Sequence, residues 1–570
     1  MIKSIRSFGD GTLQDNEEFD YVVVGAGSAG CVVARRLSDS GASVLLLEAG
    51  GSERSWKIQM PSAYAYPLAD KRMSWMLETA PQANLDNRKI AWPAGKMLGG
   101  SSSINGMVYV RGHALDFEGW KERGAEGWGY ADVLPYFKRA ENRLHGGNEY
   151  RGTGGLLTVT KGINYSPLFN AFVEAGQQAG YGHTEDPNGY RQDGFGLSEM
   201  TVKGGVRAST FAAYIRPILP RENLTIVTGA RADRLLLEQK RVVGVAYTRN
   251  RETCVAKARR EVILSAGAVH TPRLLLLSGI GPAAELEALG IEVRHDLPGV
   301  GRNLQDHIEL YVQFACKKPV TLHRHMSLIG KGMIGAQWFL TKTGICGTNH
   351  AEAGGFVCSA PDVDYPDIQF HFVPLAIDYH GYSPVKGDSF QVHVGPTRPT
   401  SHGAIKLKSA NPADNVHIQP NYNNTEADRK VMRACIRISR KIMAQLAMKD
   451  YVDYEISPGP TAVSDADLDA FVRRTAESGY HYAGTCRMGV DKDAVTNPQA
   501  QVHGISGLRV ADASLMPSLT NGNTNAPSIM IGEKVSDHIL GKGMLAPLEL
   551  EFYRQSEAAT TARKVVKEKV

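Results

Sequence analysis

The chain has 570 residues, 42% hydrophobic and 22% charged, proportions that exclude a disordered chain; at roughly 100–200 residues per domain, more than one structural unit is expected. No apolar run approaches the ~18 residues of a membrane-spanning helix. A formal net charge of +5 with no basic stripe gives no ground for nucleic-acid binding.

Residues 1–17 are polar, and Met1 to Asp20 lacks the apolar run of a secretory signal, so none is expected. Tyr21 to Val24 reads as a buried strand, Cys31 to Leu37 as the start of a helix, and Ser43 to Glu48 as a second strand ending in an acid. Between the first strand and the helix stands Gly25-Ala-Gly-Ser-Ala-Gly30. The spacing predicts a dinucleotide site. Gly25 permits the tight turn, Gly27 lets the backbone approach a pyrophosphate, and Gly30 lets helix and strand pack closely. Ser28 and Ala29 open the helix, whose free N–H groups face the phosphates. Glu48 lies 18 residues beyond Gly30 and can accept ribose hydroxyls. Its charge disfavours a 2′-phosphate, hence NADP. The pattern alone does not separate FAD from NAD.

Residues 72–130 are Trp-, Gly- and Ser-rich with few clear periods. Within them, Gly95-Lys-Met-Leu-Gly-Gly-Ser-Ser-Ser-Ile-Asn-Gly-Met-Val-Tyr109 would let the main chain lie against a flat ligand. Leu224–Thr228, Val242–Tyr247 and Glu261–Ser265 read as strands, the last leading into Gly267-Ala-Val-His-Thr-Pro-Arg-Leu-Leu-Leu-Leu-Ser-Gly-Ile-Gly281. Alternating segments at Asp367–Phe372 and Ser389–Val394 predict half-buried strands of a mixed sheet. An amphipathic helix is expected at about 425–446 and a final one near 527–540. The tail 546–570 ends in Arg563-Lys-Val-Val-Lys-Glu-Lys569, a solvated end or a peripheral membrane contact. Seven widely spaced cysteines without C-x-x-C point to a reducing compartment and to no metal site. A cytoplasmic location is expected, with a place on the inner face of the membrane left open.

The two Gly-rich segments are similar, position by position, to the two signatures of the glucose–methanol–choline (GMC) oxidoreductases. Val300-Gly-Arg-Asn-Leu-Gln-Asp-His307, His481-Tyr-Ala-Gly-Thr-Cys-Arg-Met-Gly489, Arg509-Val-Ala-Asp-Ala-Ser514 and Gly522-Asn-Thr-Asn-Ala-Pro527 agree as well, and the resemblance runs from about 18 to 543. The chain looks most like the choline and aliphatic alcohol dehydrogenase branches, with Asn349-His-Ala-Glu-Ala-Gly-Gly-Phe356 supporting that placement.

The resemblance implies an α/β fold: a Rossmann-type FAD domain assembled from 18–160, 205–315 and 475–545, and a substrate domain at 320–474 on a mixed, mainly antiparallel sheet with helices. It implies FAD with its ADP half on Gly25–Gly30 and Glu48, and Ala232 near the adenine. The ring would lie against Gly99, Gly100, Asn105, Gly106, Met107 and Val108, with Asn523 and Thr524 beside it. Asp512 would reach the ribityl–pyrophosphate region. Where some members attach FAD through a histidine, this chain has Ile104, so non-covalent FAD is expected.

Oxidising an alcohol removes a hydroxyl proton and an α-hydride, and the proton needs a base such as histidine. The resemblance assigns that role to His481 and substrate-oxygen binding to Asn525. Glu352 and Tyr480 are expected to face a quaternary ammonium group, Tyr379 and His380 are weaker pocket candidates, and His307 is expected to link the domains. Choline is the first substrate expected, with small aliphatic primary alcohols next. A quinone, another carrier or O2 would take the electrons. A flavin-containing lyase of the same fold, a non-catalytic flavin-binding protein and an NAD-dependent dehydrogenase are the other readings.

Overall fold

The computed structural model describes residues 17–378 and 383–555. Tyr379, His380 and the basic end of the tail lie outside them. Two seven-stranded sheets organise the chain. The first begins with β1 (Glu18–Val24), α1 (Ser28–Asp39) and β2 (Val44–Glu48), and continues through β3 (Leu224–Thr228) and β4 (Glu252–Leu264). Its parallel part runs β3–β2–β1–β4, with Leu508–Val510 on the far side of β4. The hairpin of Arg231–Glu238 and Arg241–Arg249 extends it antiparallel along the first half of β4. β1 and β2 are almost wholly buried, as a parallel sheet covered on both faces requires, which is why they read as unbroken apolar runs. β4 leads into α2 (Gly267–Leu277).

The second sheet contains β5 (Ile308–Cys316), β6 (Ile368–Val373) and β7 (Ser389–Pro396) in the order β5–β7–β6. Val452–Ser457 lies outside β5, while Ala353–Val357 and Gly194–Leu197 lie beyond β6. Every pairing in it is antiparallel; the mixed sheet is the first one. β5 belongs here, so the domain break expected at 315 falls one strand late. Side chains alternate along these strands. Leu310, Val312, Phe370, Phe372, Val392 and Val394 enter a core shared with residues of the helices Pro167–Gln178 and Glu426–Met443. The intervening Glu309, Tyr311, His371 and His393 instead line a cavity.

Between β5 and β6 lies α3 (Leu328–Thr341), a surface helix. The chain returns to the first sheet for α4 (Asn525–Leu540), buried on nearly all sides from Ala526 to Asp537. Arg36 of α1 and Arg139 pair with its Asp537, at 2.9 and 2.7 Å. The segment after α4 is strapped back on the fold, with Leu548 N–H donating to Ala131 O and Tyr553 N–H to Tyr190 O, both at 2.9 Å. Among the described residues no helix is long and apolar enough to cross a membrane, and no cluster of His, Cys, Asp or Glu could hold a metal ion.

Candidate active site

A cavity of about 1420 Å³ is lined by residues of both sheets, larger than the ~300–1,000 Å³ that suits one small ligand. Three helices begin on its wall: α1 through Ser28 and Ala29, α2 through Gly267 and Ala268, and α4 through Asn525. In none does the N-cap residue's own side chain bond the first turn, although the first N–H of α2 is taken by Asp512. Their positive ends converge where an anion would be stabilised. A Cβ on Gly100, itself at φ +51°, would lie 2.7 Å from Gly27 Cα, so the two Gly-rich segments touch backbone to backbone. Glu48 sits at the end of β2, its two oxygens accepting from Gly50 N (2.8 Å) and Ala26 N (3.1 Å). Burial pushes its carboxyl up to about 7, against those hydrogen bonds. Asp512 accepts from Gly267 N (2.9 Å), Thr271 Oγ1 (2.6 Å) and Ser514 N (2.8 Å), tying the start of α2 to the last strand.

Of the described residues singled out from the sequence, all but Gly30, Gly99, His307 and Glu352 line this cavity. Gly30 acts from behind: a Cβ there would collide with Gly25 O. Gly99 likewise packs on Ser102 and Ser103, in a left-handed turn at φ +92°.

His481 lies on a segment pinned to residues 305–307. Its backbone N–H donates to Asp306 Oδ1 at 2.7 Å, and Gly479 N–H donates to His307 O at 2.7 Å. Tyr480 between them is held at φ +63°, a costly conformation for a large side chain. Burial pushes the Asp306 carboxyl up to about 7, with Ser478 and Tyr422 hydroxyls also donating to it.

The tautomers follow from the contacts. His307 Nε2 faces Thr397 O at 2.9 Å, and a carbonyl only accepts, so that nitrogen carries the hydrogen. Neutral His307 therefore accepts at Nδ1, which lies 2.9 Å from His481 Nδ1. His481 must donate there, leaving a lone pair on its Nε2. That lone pair accepts from Asn523 Nδ2 at 3.0 Å, and Gln369 Nε2 donates to the other end of the amide at 3.1 Å. Burial, then the neighbouring His307 and His371, hold His481 well below the usual histidine range. The imidazole is thus neutral, with an unprotonated Nε2 that accepts from Asn523 on the cavity wall.

Two sequence-based assignments are corrected. Asn525 does not reach His481. It is the first residue of α4, and its Oδ1 accepts from Ser28 Oγ at 2.8 Å, joining two helix starts. Asn523, two residues earlier in the loop, is the amide beside the base. Glu352 lies behind the cavity wall, 1% exposed, accepting from Thr348 Oγ1 (2.6 Å) and Asn164 N (2.5 Å). The carboxylate in the cavity is Glu309, which sequence reasoning passed over. Its Oε1 accepts from Tyr311 hydroxyl at 3.0 Å and lies 3.4 Å from His393 Nδ1. Strand register places Tyr311 opposite His393, and His393 opposite His371. Burial raises the Glu309 carboxyl, but His393, His371 and Tyr311 outweigh it and leave it below the ordinary value. The signal was legible: Glu309 and Tyr311 alternate with the core residues Leu310 and Val312.

A family model described as GMC oxidoreductase matches residues 19–309 and its C-terminal counterpart 399–532. The chain belongs to the GMC oxidoreductases. It is 51% identical over 537 residues to the oxygen-dependent choline dehydrogenase of Photobacterium profundum, covering 93% of this chain and 94% of that one. Identity to the mitochondrial choline dehydrogenase of Homo sapiens is 49% over 565 residues, covering 97% and 95%. Among solved structures, pyridoxine 4-oxidase from Mesorbium loti superposes with a TM-score of 0.84 at 31% identity, covering 92% and 99%. This GMC oxidoreductase is an FAD-dependent alcohol oxidoreductase of the choline-dehydrogenase type. Its cavity fits that cofactor: the adjoining starts of α1 and α4 suit a pyrophosphate, Glu48 suits a ribose, and glycines open a flat slot. Ile104 on the wall offers no nucleophile for a covalent link, which is consistent with non-covalent FAD.

Proposed function

We propose that the chain oxidises choline to its aldehyde, a reading carried by Glu309 standing in the same cavity as His481. Bound FAD supplies the hydride acceptor. Nε2 of His481 takes the hydroxyl proton, since an alkoxide gives up hydride far more readily than an alcohol. Asn523 holds the substrate oxygen through its amide N–H. His307 keeps the His481 tautomer that leaves Nε2 free. The Glu309 carboxylate, with the Tyr311 ring, receives a trimethylammonium head, and Tyr480 presents a further aromatic face. Electrons leave to a quinone, another carrier or O2, and a peripheral position at a membrane would serve a lipophilic carrier.

A second reading, oxidation of uncharged aliphatic alcohols, is favoured by the apolar side chains of Leu322, Met326 and Ile334 on the outer wall. Anaerobic titration of the holoenzyme separates the two. Loss of flavin absorbance with choline alone is expected. Loss with a medium-chain primary alcohol alone would overturn the choline reading, and loss with neither would favour a lyase.

A further inference from the structure

Helix α3 is turned inside out relative to an ordinary surface helix. Leu328 is 90%, Ile329 78%, Met333 68% and Leu340 85% exposed. At the α-helical spacing these residues and half-exposed Phe339 occupy one arc of about 140°. The opposite side, with buried Trp338 and half-buried Ile334, holds the helix to the fold. Trp56 extends the patch: its ring lies 6.0 Å from Phe339 and 5.8 Å from exposed Tyr66. A contiguous apolar surface of this kind marks an interaction site.

Two observations say what covers it. The first is charge. From residue 310 to 351 the chain has no Asp or Glu, and Arg324, Lys331 and Lys342 lie just before, within and just after the helix. Arg324 and Lys331 are exposed. Apolar and aromatic side chains bordered by bases match the acyl boundary and anionic headgroups of a bilayer. The second is position. Trp56, Tyr66, Lys331, Ile334 and Phe339 also line the cavity that reaches His481, so the patch and the cavity share a wall at the surface. α3 has 14 residues, too short to span a bilayer but suited to lying in its interface.

We propose that α3, with Trp56 and Tyr66, is a docking face for an anionic lipid surface, seating the shared wall of the cavity against the membrane. It deepens the peripheral position named above and is independent of which alcohol is oxidised. The test is cosedimentation of FAD-loaded enzyme with vesicles of phosphatidylcholine alone or mixed with phosphatidylglycerol. Binding is expected with the mixed vesicles, weaker with phosphatidylcholine and weakened by salt. The double variant Leu328→Glu/Leu340→Glu changes residues off the cavity wall. It should lose about tenfold or more of the binding while keeping its flavin content and its turnover with a water-soluble dye. Wild-type binding by that variant would overturn the proposal. So would absence of vesicle binding, whether the enzyme is then a monomer or a dimer that the same substitutions split. Vesicle binding is read without any substrate, so a failure here is distinguishable from a failure of the choline reading, which the anaerobic titration decides.

Discussion

His481 and its neighbours divide the chemistry residue by residue. His481→Ala removes the base nitrogen and should lower kcat by about 100- to 10,000-fold with FAD retained. Asn523→Ala should lower kcat by about 100-fold. Asn525→Ala, which breaks only the Ser28 contact, should instead weaken FAD retention, measured as the flavin-to-protein ratio after gel filtration. Neutral His481 is the active form, and its proton affinity is held well below the ordinary histidine value, so the acid limb of kcat/KM should lie below pH 6.5. His307 contributes to that lowering. His307→Ala should therefore move the limb to higher pH and lower kcat, because the His481 tautomer is no longer dictated. The two glutamates give the sharpest contrast. Glu309→Gln should raise KM for choline by about ten- to a hundredfold and leave KM for an uncharged alcohol nearly unchanged. Glu352→Gln should leave the ratio of the two KM values alone. It should lower Tm, because Thr348 and Asn164 lose a charged acceptor.

At the scale of elements, the cofactor half of the site was legible because its chemistry is carried by backbone. Glycines, helix starts and strand ends must follow in a set order to receive a pyrophosphate, and Gly25–Gly30 and Gly99–Val108 show that order without reference to partners. Gly100→Ala should accordingly abolish FAD binding, seen as colourless folded protein, since its Cβ would meet Gly27 Cα. The substrate half depends on register across strands far apart in sequence. Asn523 and Asn525 are indistinguishable by composition; only the start of α4 decides which amide faces His481. Glu309 and Glu352 differ in the same way, since one projects from the cavity face of β5 and the other precedes Ala353–Val357, pinned by the 162–164 turn. α3 escaped notice because a helix with apolar residues facing outward as well as inward has no stripe to detect.

For the whole molecule, the same burial that prepares His481 sets how stability follows pH. His307, His350, His371 and His538 are pushed down to about 4, and His113 and His270 to about 3, each chiefly by burial. A histidine depressed in the fold binds its proton only after unfolding, so its contribution is present above about pH 6.5 and is lost as pH falls. Seven buried carboxyls act in the opposite sense, among them Glu352, Asp367, Asp512 and Glu533. Glu48 and Asp306 are raised to about 7 and Asp116 to about 6, again chiefly by burial. Each binds its proton more readily folded than unfolded, so each favours the fold as pH drops. With His295, His325, His402 and His481 also held down, ten histidines outnumber them, and unfolding takes up protons between about pH 6.5 and 4. Each net proton changes stability by about 1.4 kcal/mol per pH unit. The Tm of the protein with excess FAD should fall continuously across that interval. Because His307 titrates away from the cavity wall, His307→Asn should flatten the slope, whereas a slope unchanged in that variant would place the proton uptake elsewhere.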